Sequence, residues 1–333
     1  MTWSSVSVRG WEVLRLEAGS LAVDILPGKG GDILAVRWLP IDLNVLWTSP
    51  WGVRPKGAPS TATDSLSNFL ENYPGGWQTI FPNGGDACDD QGVEFGFHGE
   101  ACLVPWDWKI EAADKESTSV LLKTKLTNSP FAMTKLITVT PESVEVRETA
   151  MNISEVPRDA MWSHHPAFGA PFLSADCRIG ADASTFLADD ERDFPAGDLE
   201  PGSKSAWPKG LGRKGEIVDL TRVPDNQTPL DRFGYLTGFR QPLAWIENAK
   251  LGLRAELDWD ARVFPHAWFW LEAHATEGYP WYRKAYVLAI EPASSFPGQG
   301  LANVRRKTGN QLTFAPGEEK TATVRMKLTP AAS

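Results

Sequence analysis

The stretch from Ser119 to Ile153 reads SVLLKTKLTNSPFAMTKLITVTPESVEVRETAMNI and decides the fold class. It contains three runs rich in β-branched and apolar residues, SVLLKTK, AMTKLITVT and SVEVRETAMNI, which are separated by turn residues at NSP and PE. Apolar residues alternate with polar ones, as they do on a strand that buries one face. Because short turns join the runs, the stretch predicts three consecutive antiparallel strands.

The same rhythm continues toward both ends of the chain. Between Ser5 and Trp38, short alternating runs are interrupted by Gly10, Gly19 and the sequence PGKGG. Near the C-terminus the runs LAWIENA, LGLRAELDW, VFPHAWFWLEA, YRKAYVLAI and TATVRMKLT have the same character. Strand-length runs bounded by turn residues are typical of antiparallel sheets. We therefore expect an all-β protein, a sandwich of antiparallel sheets with long loops, in which residues 1–333 form one domain.

Two long segments lack this rhythm. Pro50–Ser67 is predicted to be a surface loop that leads toward a pocket, and Asp182–Asp231, rich in Asp, Gly, Pro and Lys, is predicted to form long loops with short strands. Thr63–Asn72 is the one stretch for which we consider a helix. Helices are therefore expected to contribute little to the fold.

Composition excludes several classes of function. The 333-residue chain is 42% hydrophobic and 23% charged, as in an ordinary globular protein, and it carries a net charge of -9. It has no cluster of lysine and arginine of the kind that binds nucleic acid. A basic, apolar leader and a membrane-length apolar run are also missing from the sequence. We expect a cytoplasmic protein without a nucleic-acid or membrane partner.

The stretch from Tyr73 to Trp108 has the composition of a pocket mouth. It combines glycines, prolines, tryptophans, amides, acids and the lone His98 without a helical period. Glycine and proline fix turns, and few of the remaining side chains are suited to a core. We interpret it as turn-rich β structure that carries His98 to a binding site.

A late strand presents several polar side chains to one face. In FPHAWFWLEAH, residues 264–274, alternation places five side chains together: His266, Trp268, Trp270, Glu272 and His274. Such a mixture is costly to bury without partners but suits the lining of a polar pocket. An exposed face with interfacial tryptophans is the alternative.

Two further sites could carry acid–base chemistry. Glu291 in AYVLAIEP is predicted to end a strand because Pro292 cannot continue the ladder, and desolvation there would raise the pKa of its carboxyl. A simply solvated glutamate is the alternative. His164 and His165 are adjacent, so that in an extended segment only one of them can face a given site. Metal binding by His98, Glu100, His164 or His165 stays open, although their spacing matches no known ligand motif.

Taken together, these motifs resemble the aldose 1-epimerase (galactose mutarotase-like) superfamily. GGWQTIFPNGG followed by FHGEACLVPWDW is similar to the glycine- and proline-rich stretch and the His-Gly segment of its hexose-6-phosphate mutarotase branch. WSHHPAFG resembles the strand that holds the second catalytic histidine, at His165, and AIEPAS the strand that ends in the catalytic glutamate, at Glu291. The resemblance extends over most of the chain.

The resemblance implies a β-supersandwich that binds a sugar on a concave face, without a cofactor, metal or nucleotide. Glu291 would take the proton of the anomeric hydroxyl, while His165 would protonate the ring oxygen and so open the ring. His98 would hold a hydroxyl or share the acid role. The protein would thus interconvert the α and β anomers of an aldose, its small-molecule partner; a homodimer is left open.

Departures from the pattern bear on the substrate. Where the sugar-phosphate branch has arginines, this chain has Pro74 and Cys102, which favours an unphosphorylated hexose or related aldose. Gln78, Asn83 and Asp231 are then candidate ligands for sugar hydroxyls, beside Trp268, Trp270 and His266. The substrate-binding arginine of galactose mutarotases has no identified counterpart. A non-catalytic sugar-binding or regulatory protein and a metal-dependent isomerase or lyase are the alternative functions.

Overall fold

The structure is a computed structural model that describes residues 2–192, 194–225 and 227–331. Most of its regular structure is β. In chain order the strands are β1 (Trp3–Val8), β2 (Trp11–Ala18), β3 (Leu21–Leu26), β4 (Asp32–Trp38), β5 (Leu43–Asn44), β6 (Trp77–Ile80), β7 (Cys88–Asp90), β8 (Val93–Phe95), β9 (Asp107–Ala113), β10 (Thr118–Lys125), β11 (Phe131–Val139), β12 (Ser143–Asn152), β13 (Arg158–Ala160), β14 (Ser163–Gly169), β15 (Cys177–Ala181), β16 (Thr185–Ala188), β17 (Lys204–Ala206), β18 (Lys209–Leu211), β19 (Ile217–Asp219), β20 (Leu230–Thr237), β21 (Leu243–Asn248), β22 (Leu253–Trp259), β23 (His266–Ala273), β24 (Tyr286–Ala293), β25 (Leu312–Phe314) and β26 (Glu319–Pro330).

Two large antiparallel sheets dominate the fold. The larger has the strand order β1-β2-β3-β4-β6-β14-β24-β23-β20-β16-β17, with β5 beside β4. The smaller has the order β15-β21-β22-β26-β12-β11-β10-β9. Three two-stranded ribbons, β13-β25, β18-β19 and β7-β8, lie outside them. The meander predicted over 119–153 is confirmed as β10-β11-β12, and the all-β class is confirmed with it.

The two sheets enclose the main core. Leucine, valine and isoleucine side chains of β2 and β3 belong to the same buried cluster as those of β10, β11 and β12. A polar group is buried in the same layer around Glu148, whose Oε1 lies 3.3 Å from Lys135 Nζ and whose Oε2 lies 3.3 Å from His164 Nε2. Trp162 Nε1 also donates to Oε2, at 3.1 Å. Because these groups satisfy one another, a carboxylate can remain between the sheets.

Helices are short. The first, α1 (Ser65–Glu71), lies inside the stretch considered for a helix, and the Asp64 carboxylate caps it by accepting from the Ser67 N–H. The second, α2 (Leu301–Lys307), was not predicted; it buries only Leu301 and Val304. A 3-10 turn spans Leu39–Ile41. Among the described residues, no helix is long and apolar enough to cross a membrane.

The strands at the centre of the large sheet are irregular where His165 and Glu291 lie. β14 and β24 are paired at Ser163 with Ala293 and at Ala167 with Ala289, with no paired residues between. This gap corrects the prediction that Glu291 ends its strand: β24 continues through Pro292 to Ala293. The missing N–H of proline costs little where the ladder to the neighbouring strand is already interrupted.

Candidate active site

A cavity of about 790 Å³ opens on the face of the large sheet opposite the main core. Its floor carries side chains of β14, β20, β23 and β24, and its walls come from α1, from Arg192 and residues 194–196, and from the loop 275–283. Phenylalanine and tryptophan side chains alternate with a few acids, histidines and arginines in the lining. A mostly apolar cleft with a small set of converging polar groups is typical of a small-molecule site.

His165 and Glu291 lie side by side on the cavity floor. His165 Nε2 is 3.5 Å from Glu291 Oε1, and the two residues are 5% and 2% exposed. Glu291 Oε2 is buried and has no hydrogen-bond partner among the described residues. Glu291 lines the cavity, so a ligand hydroxyl that reaches this oxygen would supply the missing hydrogen bond.

Tyr73 fixes the orientation of the His165 ring. The Tyr73 hydroxyl lies 3.3 Å from His165 Nδ1. Burial raises the pKa of Tyr73 well above its ordinary value, so the phenol keeps its proton, and it donates that hydrogen to Nδ1 in the His165 tautomer whose Nδ1 is unprotonated. The proton of neutral His165 is then on Nε2, the nitrogen that faces Glu291. Trp270 supports the ring from another side, with centroids 5.5 Å apart.

His98 completes the group from the turn-rich stretch. Its backbone has a φ of 59°, the left-handed conformation, which turns the ring inward beside Phe69 and Phe97. The Gly85 N–H donates to His98 Nδ1 at 3.0 Å, so neutral His98 also carries its proton on Nε2. The His98 and His165 rings are 5.9 Å apart. The three residues predicted to be catalytic, His98, His165 and Glu291, are therefore brought into one cavity.

Burial sets the protonation of these groups. It raises the pKa of Glu291 to about 8, against a smaller opposing effect of Arg192. It lowers the pKa of His165 to about 4, and it lowers the pKa of His98 well below its usual value, helped by the positive charges of His165 and Arg192. Between about pH 4 and pH 8 the His165–Glu291 pair therefore holds a single titratable proton, which resides on Glu291 in the free protein while His165 is a neutral imidazole.

Arg192 is a lining residue that sequence reasoning missed. Its guanidinium lies over the rings of Phe97 and Phe233, 5.6 and 5.9 Å from their centroids, and its Nη2 donates to Asp86 Oδ1 at 2.6 Å. Its Nε has no hydrogen-bond partner among the described residues. The segment around it has no strand or helix period, so no sequence pattern pointed to it.

A second buried acid, Asp189, holds Arg192 in place. Asp189 Oδ1 accepts from the backbone N–H of Glu191 at 3.1 Å and of Arg192 at 3.0 Å. Its Oδ2 accepts from Gln299 Nε2 at 2.8 Å and from the hydroxyl of Tyr235 on β20. The loop that presents the arginine is therefore tied to the sheet by one carboxylate.

Neighbouring strands supply the rest of the floor. Trp268, Trp270 and Glu272 on β23 line the cavity as their shared face predicted, and Asp231 lies opposite Glu272 on β20. Trp268 is fixed by its indole N–H, which donates to the Ser295 carbonyl at 2.7 Å. Glu272 accepts from the backbone N–H groups of residues 275 and 276 at 2.7 and 3.0 Å, so it anchors the loop above the cavity.

Four other predicted side chains lie outside the described lining. Gln78 is fully buried beneath it and donates to the Gly75 carbonyl. Asn83 is equally buried; its amide donates to the carbonyls of Asp86 and Gly96 at 2.9 and 3.0 Å, and its Oδ1 accepts from the Leu301 N–H at 2.8 Å. Both amides thus hold turns together.

The two histidines at the ends of this face lie outside the cavity lining. His266 packs edge-on against Phe296, with centroids 4.8 Å apart, beyond the end of the cavity. His274 has a φ of 55°, which turns its ring onto Tyr286. His266 is the first residue of β23 and keeps the alternation but lies past the cavity, whereas His274 follows the last residue of the strand and departs from it.

His164 points away from the cavity, into the layer around Glu148, as the adjacency argument required. Within residues 2–192, 194–225 and 227–331, no group of three or more His, Cys, Asp or Glu side chains is arranged to hold a metal ion.

Comparison with known proteins places the fold. Residues 8–227 match the model of a family described as "Domain of unknown function (DUF4432)". A search of curated proteins finds no match. A structure described as a "putative aldose 1-epimerase" from Klebsiella pneumoniae is 16% identical, with a TM-score of 0.72 over 99% of this chain and 84% of that one. A galactose mutarotase-like protein from Clostridium acetobutylicum is also 16% identical, with a TM-score of 0.69 over 98% of each chain. The Slr1438 protein from Synechocystis sp. PCC 6803 gives 16% and 0.67 over 96% of each chain.

Proposed function

This chain belongs to the DUF4432 family and has the galactose mutarotase-like fold, and from that premise we propose that it is an aldose 1-epimerase acting on an unphosphorylated hexose or related aldose. One observation carries the proposal. An orphaned buried carboxylate oxygen, Glu291 Oε2, lies beside His165 on the floor of a cavity large enough for a sugar. A base and an acid at this separation can act on two atoms of one ring.

The reaction needs one proton to move in each direction. Glu291 takes the proton of the anomeric hydroxyl, and His165 gives its Nε2 proton to the ring oxygen, so that the C1–ring oxygen bond breaks and an open-chain aldehyde forms. Rotation about C1–C2 presents the other face of the carbonyl. Ring closure returns the ring-oxygen proton to His165 and the Glu291 proton to the new anomeric hydroxyl. His98 Nε2–H donates to a sugar hydroxyl throughout.

The protonation state of the free site sets a cost for this reaction. The reactive form has Glu291 ionised and His165 protonated, whereas in the free protein the proton resides on Glu291. Because burial raises the pKa of Glu291 and lowers that of His165, the reactive form is the minor one in the free protein. Sugar hydroxyls that donate to the carboxylate stabilise its ionised form, so substrate binding enriches the reactive state.

The charges in the cavity favour a neutral sugar. Arg192 is already paired with Asp86, and Arg283 with Glu277. A phosphate would have to compete with these carboxylates and would face Asp231 and the other acids of the lining, whereas a neutral hydroxyl can bind without displacing an ion pair. Arg192 therefore takes the place of the arginine that the sequence did not reveal.

Anomer exchange tests the proposal directly. Freshly dissolved α anomers of D-glucose, D-galactose and other aldoses are followed by polarimetry, and exchange at equilibrium by NMR, in a buffer that catalyses mutarotation weakly. The wild type is expected to accelerate exchange of at least one sugar, while Glu291→Gln and His165→Ala lose the acceleration. Binding without acceleration across the panel would instead identify a sugar-binding protein, and exchange at the wild-type rate in both variants would refute the assigned roles.

A further inference from the structure

Exposed aromatic side chains cluster beside the mouth of the cavity. Trp51, Tyr279 and Tyr282, here called the aromatic rim, are 45%, 50% and 53% exposed. Trp51 and Tyr282 are in edge contact, with centroids 6.1 Å apart. Leu66 of α1, which lines the cavity, is 44% exposed. A contiguous group of exposed apolar side chains marks a binding surface more often than scattered single ones do.

The rim is held in place although it is exposed. Trp51 Nε1 donates to the Pro280 carbonyl at 2.8 Å, and the Tyr279 hydroxyl donates to the Ser67 carbonyl on α1 at 3.3 Å. Lys284 Nζ lies 5.3 Å from the Trp51 ring centroid. These contacts join three segments that are far apart in sequence. Aromatic faces that are already fixed lose little conformational entropy when a ligand stacks on them.

The rim adjoins the cavity lining, and the cavity exceeds the size of one hexose. Pro280, Trp281 and Arg283 line the cavity and alternate in sequence with the rim residues Tyr279 and Tyr282. Twelve non-hydrogen atoms at about 30 Å³ each, the volume of a liquid water molecule, would fill on the order of 360 Å³ of the 790 Å³ available. A single hexose would therefore leave space in the cavity for a further group.

The chemistry of this outer part suits a second sugar. An aromatic ring can cover the C–H face of a pyranose, while charged side chains fix its hydroxyls. Arg283 and Glu277 form an ion pair in the outer lining, so that donors and acceptors lie next to the aromatic faces. A neutral sugar unit needs no charged partner beyond this ion pair.

We propose that the aromatic rim binds the second unit of a disaccharide or longer oligosaccharide whose reducing unit occupies the cavity floor. The proposal rests on the proposed function, because the exchange of anomers would take place at the reducing end of that glycan. It commits to a glycan rather than to a second protein copy because Trp51 and Tyr279 are hydrogen-bonded to Pro280 and to α1, which border the cavity.

Kinetics with matched sugars test the rim. Maltose, cellobiose and lactose all have glucose at the reducing end, so each is compared with D-glucose by polarimetry. At least one disaccharide is expected to have a higher kcat/KM than D-glucose. The double variant Tyr279→Ala/Tyr282→Ala is expected to raise the KM for that disaccharide about tenfold, since two aromatic contacts are lost, with kcat and the D-glucose parameters unchanged.

Controls separate stacking from loop collapse. Tyr279→Phe and Tyr282→Phe keep both rings and are expected to keep the disaccharide KM. Ile217→Ala removes an equally exposed apolar side chain, 71% exposed on β19, and should have no effect. Equal kcat/KM for glucose and all three disaccharides, or a double variant that binds them as the wild type does, would overturn the rim site.

Binding distinguishes failure of the rim from failure of the proposed function. If the wild type accelerates the anomer exchange of no sugar, saturation-transfer NMR with the same disaccharides still tests the rim. Saturation transfer to the non-reducing unit that disappears in the double variant supports the rim site. No such transfer in the wild type overturns it. Sedimentation velocity covers the remaining case. A dimer that the double variant dissociates, without any change in sugar binding, would assign the rim to a second copy of the chain and also overturn the proposal.

Discussion

Replacing Glu291 by glutamine should stabilise the protein while it abolishes activity. Burial raises the pKa of this carboxyl from an ordinary 4.5 to about 8. At pH 7 the folded protein keeps it protonated, whereas the unfolded chain ionises it, so folding must take up a proton. Over the 2.5 pH units between 4.5 and 7, this linkage costs about 3 kcal/mol. Glutamine is neutral in both states and avoids the cost.

The pH dependence of the effect follows from its sign. Below the unfolded value of 4.5 both states are protonated and the group has no effect on stability. Between 4.5 and about 8 only the unfolded chain ionises, so the cost of folding grows with pH, and above about 8 it is constant. The difference in unfolding free energy between Glu291→Gln and the wild type should therefore be near zero at pH 4, about 3 kcal/mol at pH 7, and level off above pH 8.

Glu148 provides a matched control with the opposite sign. Burial opposes ionisation there too, but His164 and Lys135 outweigh it and lower the pKa of Glu148 to about 2. This group contributes stability above pH 4.5 that is lost as the pH falls through about 2. Glu148→Gln should therefore lose about 3 kcal/mol at pH 7.

Urea unfolding followed by tryptophan fluorescence and circular dichroism, at pH 4, 5, 6, 7 and 8, measures both variants. The slopes against urea should match the wild type, which would show that the same surface unfolds. Should Glu291→Gln be no more stable than the wild type at pH 7, or gain as much at pH 4, the carboxyl is not desolvated. The base assigned to the reaction would then have an ordinary pKa.

The remaining predictions concern activity. The pH profile of kcat/KM should be bell-shaped. It should fall below about pH 4, where His165 also becomes protonated, and above about pH 8, where Glu291 loses its proton. A profile that is flat from pH 3 to 9 would contradict the shared titratable proton. Tyr73→Phe removes the donor to His165 Nδ1, so kcat should fall ~10-fold with little change in KM. The acid limb of the pH profile should move to higher pH. If that limb does not move, the role of the tyrosine is structural. Arg192→Gln should raise the KM and shift the alkaline limb of the profile to higher pH, because the cation that opposes protonation of Glu291 is gone. Arg192→Lys keeps the cation and should raise the KM alone. Alkaline limbs at the same pH in both variants would count against this contact.

Local patterns were enough to predict the strands. The meander over 119–153 was correct because each run buries one face, and alternation within a run is readable without knowing its neighbours. The order of the strands in the sheets could not be predicted from local patterns, because β6 lies between β4 and β14 only through long-range pairing. The helix α2 was missed because its LANVRRK sequence is short and buries only two apolar side chains.

The same division applies to the site. His98, His165 and Glu291 lie on or beside strands with recognisable motifs, and the structure brings them together. Gln78 and Asn83 stood in the right stretch, but amide groups are as useful for holding tight turns as for binding a ligand, and their hydrogen bonds are decided by backbone that the sequence does not display. Arg192 could not be found, because its place depends on Asp189 tying an irregular loop to β20.

The anchoring of the loops by Asp189 and Glu272 has a consequence for how such a protein can change. The groups that would move protons are built into strands, whereas the groups that would choose a sugar are carried by two loops, each fastened to the sheet through one buried carboxylate. A loop can be rebuilt beyond its fastening without disturbing the strands. Substrate range can thus diversify among relatives by loop exchange, and an engineer who transplants residues 190–198 or 275–284 together with their carboxylates should alter the sugar accepted while the reaction stays the same.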